Sequence, residues 1–172
     1  MARNSNIAFC VAACMFGSLA QSQTAQSGNL AATCQNLAEM NQGADPQAMQ
    51  MITGIWDSTG VQPGTPGIIG DTQIQARSQI DGNGTFRVDQ YGCFQPFNID
   101  GTLMAQSCAN SFVYGEWTAH FAPDGSIVMV MLSSGSGFNG GALPMSCGVS
   151  YLRMQDANTM TDMAGNLLHR SG

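Results

Sequence analysis

The stretch Phe112-Val113-Tyr114-Gly115-Glu116-Trp117-Thr118-Ala119-His120-Phe121, a turn at Pro123-Asp124-Gly125, and the run Ser126-Ile127-Val128-Met129-Val130-Met131-Leu132 decide the fold. In an extended chain successive side chains point to opposite faces, so Trp117 and Phe121 share one face and Tyr114, Glu116, Thr118 and His120 share the other. Proline followed by Asp-Gly is the chemistry of a tight reversal, which makes the two runs a hairpin. The second run is apolar on both faces from Ile127 to Leu132, so its outer face needs a cover.

The same grammar continues on both sides. Thr72 to Asp81 alternates, with Ile74, Ala76, Ser78 and Ile80 on one face and Gln73, Gln75, Arg77 and Gln79 on the other. Gly82-Asn83-Gly84 supplies residues that tolerate positive φ, turning the chain into Thr85 to Tyr91 with Phe86 and Val88 inward. C-terminally, Val149 to Gln155, Thr159 to Met163 and Asn166 to Arg170 read as short strands. Gly54 to Ser58 opens the series and leads into Val61 to Gly70, too rich in glycine and proline for a central strand. Gly135 to Gly141 reads as a loop. Consecutive hairpin-linked strands with almost no intervening helix predict a mainly β fold, an antiparallel up-and-down barrel of six to eight strands spanning residues 54–172.

Residues 29–53 read differently. Leu30, Cys34, Leu37 and Met40 recur at helical spacing, and Asp45-Pro46 is an N-cap followed by proline at the first helical position. This N-terminal helical segment is the candidate cover for the apolar outer face. Residues 21–28 are small and polar and read as a disordered start. Residues 1–20 form a signal peptide pattern: Arg3, an apolar run from Ile7 to Ala20, and small residues at Ser18 and Ala20 before the cut. The expected location is periplasmic or extracellular. Val11-Ala12-Ala13-Cys14 offers the alternative of lipid anchoring at Cys14.

Composition bounds the function. The chain of 172 residues contains no lysine; without residues 1–20 it keeps four arginines against eleven acids, a net charge of −7. The basic surface that drives nucleic-acid binding is absent, as is attraction to anionic lipid, and the apolar run at the N-terminus is too short to span a bilayer. Four cysteines remain after the cut. In an oxidising compartment two disulfides are expected, with three possible connectivities. Cys93 and Cys108 bracket one turn-rich segment and are the favoured pair, leaving Cys34 with Cys147 to tie the helical segment to the body. The spacing lacks the paired knuckles of a zinc site, and no cofactor motif is present.

Gly54-Ile55-Trp56 at the first strand, the repeated Asp-Gly turns, Gly115-Glu116-Trp117 and the terminal Arg170 resemble small bacterial lipocalin-like barrels. The resemblance implies that Trp56 plugs the closed end with Arg170 packed over its indole. It also implies a small apolar or amphipathic ligand inside, for which Ile74, Ala76, Phe86, Val88, Trp117, Met129 and Met131 are the candidate lining. The competing reading is a non-catalytic envelope or inhibitor protein with a filled barrel, acting through loops Val61 to Gly70 and Phe94 to Ser107. Glu116 and His120, four apart on one face, could form an acid-base pair, but a solvated outer face explains them equally well. Met49, Met51, Met129 and Met131 carry soft thioethers and read as flexible core filling. No catalytic residue and no metal site are expected. Intact-mass and N-terminal analysis of the exported protein should find a chain beginning at Gln21; a lipidated chain beginning at Cys14 would establish the anchored alternative.

Overall fold

The computed structural model describes Cys34 and residues 43–62, 72–94, 100–102, 104–138 and 140–171. The predicted signal peptide, the polar start and the predicted helix around Leu30 to Met40 lie outside the described residues, Cys34 excepted.

Eight antiparallel strands follow one another around a closed barrel: β1 (Gly54–Gln62), β2 (Thr72–Asp81), β3 (Thr85–Phe94), β4 (Ser107–Phe121), β5 (Ile127–Ser136), β6 (Ala142–Asp156), β7 (Thr159–Asp162) and β8 (Leu167–Arg170). The predicted up-and-down barrel is therefore present, at the upper end of the expected strand number. Two strands of only four residues, β7 and β8, let eight strands fit a chain of this length. Closure between β1 and β8 rests on three register pairs, Trp56 with Arg170, Asp57 with His169 and Ser58 with Leu168. The ring closes at the Trp56 to Ser58 end of β1, since β7 and β8 are too short to follow β6 and β1 along their whole length.

Several boundaries differ from the sequence reading. β1 continues through Val61 to Gln62, in register with β2 as far as Thr72, because its polar and small residues still complete the hydrogen-bond ladder. β4 begins at Ser107, which sets Cys108 directly opposite Cys93. β5 extends to Ser136 and β6 starts at Ala142, so the predicted loop shrinks to a turn closed by the Gly137 N–H donating to the Gly141 carbonyl at 2.9 Å. Of the Gly82-Asn83-Gly84 turn only Gly84 adopts positive φ; Asn83 instead accepts from the Thr85 amide through its side chain.

The helix α1 (Pro46–Ile52) starts as its sequence dictates. Asp45 Oδ1 accepts from the amides of Gln47 and Ala48, and Pro46 occupies the first turn, where an N–H would have no partner. The Asp45 amide donates to the Ala119 carbonyl at 2.8 Å, which docks the helix onto β4. Ala48 and Ile52 then enter the barrel core completely. Among the described residues, no helix is long and apolar enough to cross a membrane.

One cluster of contacts shuts this end. Trp56 is fully buried, and its indole Nε1 donates to the Ile52 carbonyl at 2.8 Å. Arg170 lies over the indole, its guanidinium carbon 4.3 Å from the ring centroid. Its Nη1 donates to the Thr53 carbonyl, Nη2 to Met51 and Nε to Ala157. Gly54 makes this geometry possible: its φ is +143°, and a Cβ there would lie 2.7 Å from Arg170 Nη1. Trp56 and Arg170 thus meet as their motif implied.

Both disulfides have the favoured connectivity, Cys34 with Cys147 and Cys93 with Cys108. The first brings buried Cys34 against Leu132 and Cys147 on the outer face of β5 and β6, with Met145 packed alongside. Replacing Gly54 by alanine should force Arg170 off its carbonyls. Thermal and denaturant unfolding should register a loss of about 2 kcal/mol or more for Gly54→Ala and for Arg170→Ala, since each breaks charge-assisted hydrogen bonds worth roughly 1.5–3 kcal/mol apiece. Unfolding midpoints equal to those of the parent would show that the contacts contribute nothing.

Candidate functional site

The seven residues expected to line a ligand cavity all face inward and belong to a single core cluster with Trp56, Ile80 and Leu168. Two of them have structural duties. Trp117 donates its indole N–H to the carbonyls of Asp81 and Thr85, and its amide donates to the Gly84 carbonyl. It therefore fastens the β2–β3 turn to the closed end. Phe86, opposite Ile80 in register, packs beside it.

All seven are buried: Met131 and Ala76 retain 8% and 6% of their surface, Val88 retains 2% and Met129 none. The mouth itself is occupied. Phe138, carried by the β5–β6 turn, packs against the core over Gly92, where a Cβ would lie 2.8 Å from the ring. Beneath it Gln90 and Ser111 satisfy each other through a buried 2.9 Å hydrogen bond. Ser150, deeper and opposite Met129, has a buried hydroxyl with no hydrogen-bond partner.

The outer face corrects another expectation. Tyr114 and Glu116 are exposed, but His120 is only 6% exposed and neither its Nδ1 nor the Thr118 hydroxyl has a hydrogen-bond partner. Val128, Val130 and Leu132, across on β5, are likewise buried. This half of the outer face is covered, as the apolar run required, so Glu116 and His120 sit in different environments. Among the described residues no three histidine, cysteine or acidic side chains gather as a metal site would require. The loops proposed as working surfaces fall largely on residues 63–71 and 95–99, outside the described set.

A concavity lies on the opposite side of the barrel. It crosses the outer face of β8, β1, β2, β3 and β4, with a volume of about 1110 Å³. Register assembles a row of His169, Asp57, Arg77, Asp89 and Phe112 across these five strands. Arg77 grips Asp57 with two hydrogen bonds of 2.8 and 2.9 Å. Arg87 holds Asp89 through Nε and Nη2 and covers the Phe112 ring at 5.2 Å. Phe112 in turn stacks on Tyr114 with centroids 6.1 Å apart. No sequence signal marked this groove, because each residue alone reads as an ordinary solvated position.

No protein-family model matches the chain, and no curated protein is similar enough to match it.

The groove carboxylates titrate below their ordinary range. The Arg77 hydrogen bonds lower Asp57, and those from Arg87 lower Asp89. Elsewhere the Ser126 hydroxyl lowers Asp124 and the Thr102 hydroxyl lowers Asp100. A carboxylate depressed by folding contributes its stability above the unfolded pKa of about 3.9, and loses it as pH falls through the lower folded value. The melting temperature should thus hold steady above about pH 5 and decline below about pH 4. Asp57→Asn should flatten that decline, as followed by thermal unfolding across the acid range; an unchanged slope would mean that the Arg77 pair has no part in it.

Proposed function

We propose that this chain is an exported, lipocalin-like, non-catalytic barrel with a filled interior, acting through its outer surface. The observation that carries the proposal is the packing around Met129 and Val88, which leaves almost no accessible surface at the centre, with Phe138 seated in the mouth above. A ligand-storing barrel needs a concave, accessible interior of several hundred cubic ångströms. The side chains that would line it are instead in contact with one another.

The other parts of the proposal have their own support. Two disulfides fit an oxidising compartment, in agreement with the signal peptide pattern. The outward residues of β2 and β3 include Gln73, Gln75, Arg77, Arg87 and Asp89, while the inward ones are mostly apolar. That is the inverse of a lipid-facing barrel, which supports a protein without membrane insertion. The Gly54, Trp56 and Arg170 arrangement supports the lipocalin-like assignment. Separation of exposed Glu116 from buried His120 supports a non-catalytic role.

A small apolar or amphipathic ligand inside the barrel is the second reading. It is favoured by the unpartnered Ser150 hydroxyl and the small side chains of Ala76 and Ser78, and it requires Phe138 to leave the mouth. Native mass spectrometry of the protein purified gently from its export compartment separates the two. A filled barrel yields the bare mature mass, four hydrogens below the reduced chain for the two disulfides. A stoichiometric small-molecule adduct released on denaturation would overturn the filled interior and establish the second reading.

A further inference from the structure

We infer that the groove across β8, β1, β2, β3 and β4 is a binding site for an uncharged polysaccharide chain. The inference rests on the surface-acting reading above and assigns it a place and a ligand class.

Charge is the first argument. The whole chain carries −6, yet the groove contains two arginines and two aspartates, each held in an opposite-charge pair. Its formal charge is zero apart from His169. An anionic ligand would meet guanidinium groups already engaged and a negative protein around them, and a cationic one would meet carboxylates already neutralised. What the pairs leave on offer is hydrogen bonding. The remaining guanidinium N–H groups donate and the carboxylate lone pairs accept, each pair presenting both kinds of group side by side.

Aromatic surface is the second. Tyr91 is 44% exposed on the groove, and Phe112 lines its floor beneath Arg87, stacked on Tyr114, itself 49% exposed. Paired polar groups beside an exposed tyrosine ring suit a ligand whose hydroxyl edges seek hydrogen bonds and whose C–H faces seek rings. Sugars combine those two properties in a single residue.

Shape is the third. A volume of about 1110 Å³ exceeds the ~300–1,000 Å³ of ordinary small-molecule pockets. The groove runs over five strands and lies open to solvent, so it accommodates an extended chain rather than one enclosed molecule. An extended peptide would usually be recognised by adding a strand to a sheet edge, and β2 and β3, at the centre of the groove, already have ladder partners on both sides.

The test uses the disulfide-intact mature protein with cellohexaose, chitohexaose and maltohexaose as probes and hexagalacturonate as the charged control. Binding is followed by calorimetry and by NMR shift changes. At least one neutral probe should bind, with shifts centred on Tyr91, Asp57 and Arg77, and with an affinity that is unchanged by salt. Tyr91→Ser and Arg77→Met should each weaken it about tenfold or more, a loss of roughly 1.4 kcal/mol. Both positions are exposed, and a retained melting temperature confirms that each variant folds. Binding that persists in both folded variants would overturn the site, and preference for the charged control would overturn the ligand class. Failure of every neutral probe with a bare native mass would sink this inference alone, whereas an interior adduct in the native mass would sink the surface-acting reading beneath it.

Discussion

The Arg170 guanidinium is the constraint on which the rest of the molecule depends. It binds three backbone carbonyls, from Met51, Thr53 and Ala157, and lies over the buried indole of Trp56. Those partners belong to α1, to its junction with β1 and to the β6–β7 turn, while the arginine ends β8. Since β1 and β8 share only three register pairs, this single side chain ties together the elements whose meeting closes the barrel. The arginine thus both closes the seam and supplies donors to the part-buried carbonyls at the end of the helix. Gly54 is the complementary requirement, the backbone position that leaves room for the guanidinium.

Closure has consequences for function. With α1 and Trp56 at one end and Phe138 in the mouth at the other, the interior is a core in the ordinary sense. The outer surface then divides in two. On the β4–β6 side, buried Val128, Val130, Leu132 and His120 form a covered face beside the Cys34–Cys147 bridge. On the β8–β4 side, paired charges and exposed rings face solvent. The surface recognition proposed above would use side chains on that second face.

Much of the fold was legible because hairpins are local. Ile74 to Ile80 and Phe112 to Phe121 declare their faces by alternation, and Asp124-Gly125 declares a turn regardless of tertiary context. Gly54-Ile55-Trp56 and Arg170 were legible as a motif, although their physical logic emerges only from the carbonyls they meet. The β1 extension through Gln62 was hidden by the prolines that follow it, and the start of β6 by Gly140 and Gly141. His120 looked solvated because alternation tells which face a side chain takes and not whether that face is buried. The groove was hidden for a stronger reason. Asp57, Arg77 and Asp89 are distant in sequence, and only barrel register sets them side by side.

The central claim is that the barrel has no room inside, and crystallography under xenon pressure tests it most directly, because xenon enters empty apolar cavities and leaves packed ones alone. A filled core predicts no xenon between Val88, Met129 and Met131, with Phe138 still resting on Gly92. A xenon site at that position, or density continuing from it to a mouth vacated by Phe138, would contradict the account and return the search for a ligand to the interior.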